Sequence, residues 1–109
     1  VERIQALARH SSTIVHGQGY RNVETAFKDG FHGWPEFAPF DAVIVTCAPD
    51  KIPPKLIKQL REGGRMIIPV GTNTQRLLLL RKRRNRVEVE TDQFVRFVPM
   101  KKNRESGKL

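Results

Sequence analysis

Apolar residues change their spacing along the first third of the chain, and the changes predict successive elements. Between Arg3 and His16 they recur every three or four positions, which predicts an amphipathic helix that ends at Gly17. From Asn22 to Phe27 apolar and polar residues alternate, which predicts a short strand. The glycines and prolines of segment 29–40 predict a loop.

The middle of the chain has the pattern of a β-α-β unit. Asp41 to Ala48 is a run of mostly β-branched residues without alternation, which is typical of a strand covered on both faces. Pro53 to Arg61 has helical spacing, and Arg65 to Val70 has the composition of a second buried strand. Strand, helix and strand at this spacing predict parallel pairing through a crossover.

Three further extended segments follow the second buried strand. Gln75 to Lys82 and Arg86 to Glu90 predict a hairpin that turns at Arg83 to Asn85, and Gln93 to Met100 predicts a last strand. We expect an α/β fold in which this antiparallel hairpin lies at the edge of a parallel sheet. The polar tail 101–109 is expected to fray.

Length and composition restrict the class of protein. The chain has 109 residues, of which 39% are hydrophobic and 28% charged, so we expect part or all of one globular domain and not a disordered tail or a coiled coil. Its longest apolar runs are far shorter than the ~20 residues that span a bilayer, and no leader pattern opens the chain. We therefore expect a cytoplasmic protein with no membrane partner.

The net charge of +9 is concentrated near the end of the chain. From Arg76 to Leu109 eleven basic residues face four acidic ones, a local excess of +7. The cluster Arg81 to Arg86 and the tail Lys101 to Lys108 fit a basic nucleic-acid-binding module, which is one alternative function. A predicted hairpin turn also carries solvated charges that protect a sheet edge, and no nucleic-acid-binding motif accompanies the cluster, so we expect no nucleic-acid partner.

Residue types that support metal or nucleophilic chemistry are sparse. The three histidines have no metal-ligand spacing, and the serines stand in no nucleophile motif, so we expect no metal site and no catalytic triad. The single cysteine, Cys47, is interpreted as a small buried residue inside a strand. Chemistry in this chain should depend on how a ligand is positioned.

Two acidic residues have the placement of nucleotide-binding groups. Glu2 stands where a strand would end and a helix begins, the position from which an acid in doubly wound folds accepts hydrogen bonds from ribose hydroxyls. Asp29 and Gly30 follow a predicted strand, at the sheet edge where open α/β folds bind ligands. The plainer interpretations are a glutamate favoured by the helix dipole and an ordinary Asp-Gly turn.

Five segments together closely resemble the protein-L-isoaspartate O-methyltransferase family. The resemblance runs over nearly the whole chain and covers the later part of the family's domain. Outside it lie the family's glycine-rich S-adenosylmethionine loop and the segment with its catalytic serine. The matching segments are VERI from Val1, GYRNVETAFKDGFHGWPE from Gly19, APFDAVIVTCAP from Ala38, IPPKLIKQLREGGRMIIPVG from Ile52 and VRFVPM from Val95.

The resemblance implies a Rossmann-like class I methyltransferase fold, three layers in α/β/α order, with S-adenosylmethionine as cofactor. The methyl group would move to the α-carboxylate of L-isoaspartyl residues in damaged proteins. By the same resemblance Glu2 would bind the ribose, Asp29 and Gly30 would hold the adenine, and Val98, Pro99 and Met100 would border the bound peptide. No catalytic residue is implied within this chain.

The resemblance also implies that the fold of residues 1–109 is incomplete. In the family's strand order, 3-2-1-4-5 and then the hairpin, this chain supplies strand 3 near Val23 and strand 4 near Val43, which are not neighbours. We therefore expect exposed strand edges, a truncated chain that is inactive alone, and a strand-swapped oligomer as one way to fill the gap. A noncatalytic interaction remnant is the other alternative.

Overall fold

The computed structural model describes residues 1–102, and these form an α/β arrangement with a mixed sheet. Two single turns of 3-10 helix, Gly30–His32 and Pro35–Phe37, lie in the predicted loop. The helices and strands are α1 (Gln5–Gly17), β1 (Phe40–Ile44), α2 (Pro54–Gln59), β2 (Leu60–Val70), β3 (Gln75–Arg83) and β4 (Arg86–Val95).

The strands of the described residues lie in the order β1-β2-β3-β4. β1 and β2 are parallel and are joined by α2, with Val43 opposite Met66. β3 and β4 add antiparallel neighbours, which places Leu80 opposite Met66 on one side and opposite Val89 on the other. The predicted β-α-β unit with an edge hairpin is therefore confirmed.

The core lies on the face of the sheet that α2 covers. Met66, Ile68 and Leu80 are each 0% exposed there, and they pack with Leu56 of α2 and Leu60 at the start of β2. Met66 and Ile68 share this face because side chains alternate along a strand. The short helix α2 contributes to this cluster because it brings Leu56 onto the centre of the sheet.

A buried lysine joins α2 to the hairpin. The ammonium of Lys82 in β3 donates hydrogen bonds to the carbonyl oxygens of Ile57 (2.9 Å) and Leu60 (2.8 Å), at the carboxyl end of α2. The last carbonyls of a helix lack partners within the helix and carry partial negative charge, so a cation there is stabilising. Lys82 thus belongs to the framework and not to the solvated part of the basic cluster.

The strand predicted at Asn22 to Phe27 is absent from the structure. Its only ladder contact among the described residues is an isolated parallel bridge between Glu2 and Phe27. Val23 is exposed and the Phe27 side chain is 53% exposed. The alternating pattern needs flanking strands to supply hydrogen bonds, and over residues 1–102 this segment has a single bridge instead of a ladder.

The predicted strand Asp41 to Ala48 is shorter than expected and is not covered on both faces. It ends at Ile44, whose side chain is 75% exposed, whereas Val43 and Val45 pack against the core. Within residues 1–102, β2 is the one strand that pairs with β1, so the opposite edge of β1 has no strand beside it. The continuous β-branched run reflected a neighbour that these residues do not supply.

The last strand also has other bounds than the sequence predicted. Gln93 to Val95 continues β4, and a register shift opposite Leu79 and Leu80 leaves Glu90 as the extra residue. Segment 96–100 leaves the hairpin and reaches the residues that follow β1, where Pro99 forms a β-bridge with Ala48. The predicted frayed tail lies outside the described residues except for Lys101 and Lys102.

Candidate functional site

A cavity of about 740 Å³ opens beside the free edge of β1. One wall consists of Val1–Arg3 with Lys28 and Gly30, and the other consists of β1 and the residues that follow it, to Cys47. Val98–Lys101 lines it as well.

Glu2 holds its wall through backbone and side chain together. Its N–H donates to the Ala26 carbonyl (2.9 Å), and its own carbonyl accepts from Lys28 N–H (3.0 Å). One carboxylate oxygen accepts a hydrogen bond from the Ile4 N–H (3.0 Å) just ahead of α1. The Glu2 carboxylate therefore bonds the backbone just ahead of α1, and Glu2 also lines the cavity.

Asp29 is buried and shapes the turn that follows it. Its Oδ1 accepts from Phe31 N–H at 2.9 Å, and its Oδ2 lies 3.7 Å from Nε2 of His32. An aspartate that binds the amide two residues ahead stabilises such a turn. Lys28 and Gly30 on either side of Asp29 line the cavity. The structure thus brings the Asp29 turn and Glu2 to the same wall.

The segment Val98–Met100 reaches the cavity by pairing with Ala48. The Ala48 N–H donates to the Val98 carbonyl (2.7 Å), and the Met100 N–H donates to the Ala48 carbonyl (2.8 Å). The Cε atom of Met100 lies 2.9 Å from the point that a Cβ on Gly30 would occupy. The two segments predicted to hold cofactor and peptide therefore touch at Gly30 and Met100.

Cys47 does not lie in a strand, in contrast to the sequence interpretation. It follows β1, is partly exposed, and lines the cavity. Burial, and to a lesser degree the negative charge of Glu2, raises the pKa of the Cys47 thiol. The thiol is therefore protonated at neutral pH and is a poor nucleophile. Glu2 and Cys47 both line the cavity.

Replacing Glu2 with glutamine should lower the pKa of the Cys47 thiol, because the variant removes a negative charge that disfavours the thiolate. Burial remains, so the pKa should stay above its ordinary value. The rate of alkylation by iodoacetamide, measured against pH, should then rise at lower pH than in the unsubstituted chain. The assay is unambiguous because Cys47 is the only cysteine.

The matched control is Glu24→Gln, which removes an exposed carboxylate that does not line the cavity. The control should leave the alkylation profile unchanged. An equal profile for Glu2→Gln and the unsubstituted chain would show that the two walls do not face each other in solution.

Two buried glutamines, Gln59 in the lining of the cavity and Gln75 behind the segment that leads to Val98, have no counterpart in the sequence analysis. Gln59 at the end of α2 bonds the backbone of His32 and Trp34, and Gln75 at the start of β3 bonds the backbone of Phe97. Each is a polar residue at a position surrounded by core residues, and that is the one signal the sequence offers. Their partners lie 22 to 27 residues away, beyond any local pattern.

The basic cluster at the hairpin turn is partly neutralised. Arg81 pairs with Glu90, which lowers the pKa of that carboxyl, and Arg83 lies 3.6 Å from Glu88. The ammonium of Lys82 is buried against carbonyl oxygens. The cluster therefore offers fewer free cations than its sequence indicates, and nucleic-acid binding stays an untested alternative.

Residues 1–102 contain no group of three histidine, cysteine or acidic side chains close enough to hold a metal ion. No helix of these residues has the length and apolar character needed to cross a bilayer.

Known proteins with similar sequences cover the same residues. The family model described as Protein-L-isoaspartate(D-aspartate) O-methyltransferase matches residues 1–105. A protein-L-isoaspartate O-methyltransferase of Opitutus terrae is 45% identical over 101 residues, which are 91% of this chain and 43% of the relative. One of Picosynechococcus sp. is 46% identical over 100 residues, 92% of this chain and 45% of the relative. The chain thus spans somewhat less than half the length of these relatives.

Two solved structures have the same arrangement of elements. A protein-L-isoaspartate O-methyltransferase superposes with a TM-score of 0.84 at 30% identity, over 90% of this chain and 32% of its own. A Plasmodium falciparum protein described by the same activity, in complex with S-adenosyl-L-homocysteine, gives a TM-score of 0.75 at 25% identity, over 94% of this chain and 51% of its own.

The fold and the cavity at the end of β1, together with these two structural matches, place the chain among the Rossmann-like methyltransferases. Because the family model covers residues 1–105, the chain belongs to the protein-L-isoaspartate(D-aspartate) O-methyltransferase family. The resemblance drawn from the sequence is confirmed.

Proposed function

We propose that this chain is part of a protein-repair enzyme that moves a methyl group from S-adenosylmethionine to the α-carboxylate of L-isoaspartyl residues. The proposal depends on one observation, the convergence of Glu2, the Asp29–Gly30 turn and Val98–Met100 on a single cavity in a member of this family. The relatives of Opitutus terrae and Picosynechococcus sp. carry the name of this activity.

The residues at the cavity fit an S-adenosyl group. Glu2 supplies a carboxylate, which accepts hydrogen bonds from paired ribose hydroxyls as acids do in doubly wound folds. Gly30 lines the cavity, and Asp29 fixes the turn that carries it. The Plasmodium falciparum protein was solved with S-adenosyl-L-homocysteine, which supports the same class of ligand here.

When bound, the sulfonium cofactor supplies an electrophilic methyl group. The substrate carboxylate is already a competent nucleophile, so the protein needs to align the two groups and does not need an activated base. Val98–Met100 would border the peptide, and contact between Met100 and Gly30 would bring the peptide next to the cofactor. The protonated thiol of Cys47 takes no part in the transfer in this scheme.

Residues outside this chain complete the enzyme in this proposal. The glycine-rich loop and the catalytic serine that the resemblance implies would come from them, and the 109-residue chain alone is expected to be inactive. We further propose a cytoplasmic protein whose partners are isoaspartyl-containing proteins. A strand-swapped oligomer could place a strand beside the free edge of β1.

A chimera tests this function. The part of the Opitutus terrae relative that precedes its match to this chain would be joined to Val1, a junction supported by 45% identity over the shared residues. The chimera should transfer labelled methyl groups from S-adenosylmethionine to a peptide that contains L-isoaspartate. The same peptide with ordinary aspartate is the control substrate and should not be methylated.

In the chimera, Glu2→Ala should raise the KM for S-adenosylmethionine at least tenfold, because the ribose loses its carboxylate partner. Glu24→Ala, an exposed carboxylate away from the cavity, is the matched variant and should leave the KM unchanged. A folded chimera without methyl transfer, or one with equal KM values for the two variants, would contradict the proposal.

A further inference from the structure

We propose that Gln59 and Gln75 are a pair of positioning residues, each of which holds one wall of the cavity for one ligand. Gln59 sets the Asp29–Gly30 turn for the cofactor, and Gln75 sets the Val98–Met100 segment for the peptide. The assignment of each wall to its ligand rests on the proposed function, whereas the contacts themselves do not.

The Gln59 amide lies inside the loop that follows Gly30. Its Nε2 donates to the His32 carbonyl and its Oε1 accepts from the Trp34 N–H, both at 2.8 Å. Between them, Gly33 has a φ of +62°, and a Cβ there would overlap the Gln59 amide. The loop therefore wraps around this amide, which supplies both a donor and an acceptor without a charge.

The hold of Gln59 extends to the ligand side of the loop. The His32 N–H donates to the Asp29 carbonyl and the Gly33 N–H donates to the Gly30 carbonyl, each at 3.1 Å. The peptide group between His32 and Gly33 is thus bonded to Gln59 through its carbonyl and to Gly30 through its N–H. A shift of the Gln59 amide would move the turn that lines the cavity.

Gln75 makes the equivalent contact on the opposite segment. Its Nε2 donates to the Phe97 carbonyl at 2.9 Å, and its Oε1 accepts from the Phe97 N–H. Antiparallel strands pair through two such bonds between opposite residues. Just beyond Val95, where β4 ends, the Gln75 side chain makes both bonds in place of a strand backbone. Phe97 immediately precedes Val98, so Gln75 fixes where the segment bends towards Ala48.

Burial makes both contacts costly to lose. Gln59 and Gln75 are among the few buried polar side chains of residues 1–102, and no buried side-chain nitrogen or oxygen there lacks a hydrogen-bond partner. A buried amide that has lost its hydrogen-bond partners is desolvated without compensation, which lowers the stability of the fold. Loss of the Gln59 bonds should therefore disturb the Asp29–Gly30 turn, and loss of the Gln75 bonds should disturb the Val98–Met100 segment.

The experiment compares Gln59→Met and Gln75→Met in the isotope-labelled chimera with the Opitutus terrae segment. Methionine keeps the length of the side chain and removes its hydrogen bonds, and Gln93→Met, at an exposed position of β4, controls for the substitution itself. Amide exchange measured by NMR should accelerate at least tenfold at Trp34 only in Gln59→Met, and at Phe97 only in Gln75→Met. S-adenosyl-L-homocysteine and an isoaspartyl peptide are then titrated separately, since NMR shifts detect weak binding.

Gln59→Met should weaken the binding of S-adenosyl-L-homocysteine about tenfold and leave that of the peptide unchanged, and Gln75→Met should do the reverse. Equal loss of both ligands in both variants, at similar loss of stability, would show a merely structural role and overturn the inference. If neither ligand shifts any amide of the unsubstituted chimera, the proposed function fails. The exchange rates at Trp34 and Phe97 then still decide whether the glutamines hold the two segments.

Discussion

Gly33→Ala is expected to lower the free energy of unfolding by about 2–5 kcal/mol, as the sum of backbone strain and overpacking. Gly33 has a φ of +62°, where residues with a Cβ are strained. Its Cβ would also meet Cδ and Nε2 of Gln59 at 2.8 and 2.9 Å, where the amide is held by two hydrogen bonds and cannot turn aside. The midpoint of urea denaturation, followed by circular dichroism, measures the loss.

Two other glycines separate these contributions. Gly19 has a φ of +81° with nothing within 4 Å of a Cβ, so Gly19→Ala should show strain alone, about 1–2 kcal/mol. Gly17, at the end of α1, also has open space and no positive φ, so Gly17→Ala should be neutral or slightly stabilising. A loss for Gly33→Ala no greater than that for Gly19→Ala would mean that the Gln59 contact contributes nothing.

Leu80→Ala should lower the free energy of unfolding by about 2–5 kcal/mol, the usual range for deletion of a leucine side chain from a packed core. Leu80 is 0% exposed and lies opposite Met66 in the centre of the sheet. Leu56 of α2 belongs to the same cluster. Because the backbone of a central strand relaxes little, most of the space left by the deleted Leu80 atoms should stay unfilled.

The matched variant is Val89→Ala, since Val89 is the cross-strand partner of Leu80 on β4 and is 56% exposed. Its loss should stay below about 1 kcal/mol, the range of exposed strand positions. Similar denaturation midpoints for the two variants would mean that the centre of the core does not lie on this face of the sheet.

Elements with strong local signals could be predicted from the sequence. Helical spacing and Gly17 located α1 to within two residues. The hairpin turn predicted at Arg83 to Asn85 is present in the structure, where Arg84 and Asn85 both have positive φ. Two-residue turns of this kind match the twist of antiparallel strands, so the signal is contained in the turn itself. The order of β1, α2 and β2 could likewise be predicted, because each of these elements has its own local composition and spacing.

Elements that depend on distant partners could not be predicted. The pattern of residues 22–27 is typical of a strand, yet a strand is stable only beside others, and Phe27 has a single bridge to Glu2. The β-branched run through Val43 indicates burial on both faces, and the described residues cover one. In both cases the sequence pattern reports neighbours that residues 1–102 do not contain.

The site divides in the same way. Glu2 and the Asp29–Gly30 turn were predicted at a ligand-binding edge; Glu2 and Gly30 do line one cavity and buried Asp29 shapes the turn beside it, although their roles towards a ligand stay predictions. Gln59 and Gln75 were missed because their importance lies in which backbone groups they reach, and sequence spacing carries no information about that. Positioning residues of this type become visible only with coordinates.

The contact of Met100 with Gly30 makes the junction of the two walls sensitive to oxidants. Peroxide converts a thioether to a sulfoxide, which replaces a soft apolar group with a polar, bulkier one. At Met100 the oxygen would be added to the sulfur, next to the methyl group that now lies 2.9 Å from the position of a Cβ on Gly30. Preparations of this protein should therefore be kept under mild reductant and checked for sulfoxide by mass spectrometry before ligands are titrated.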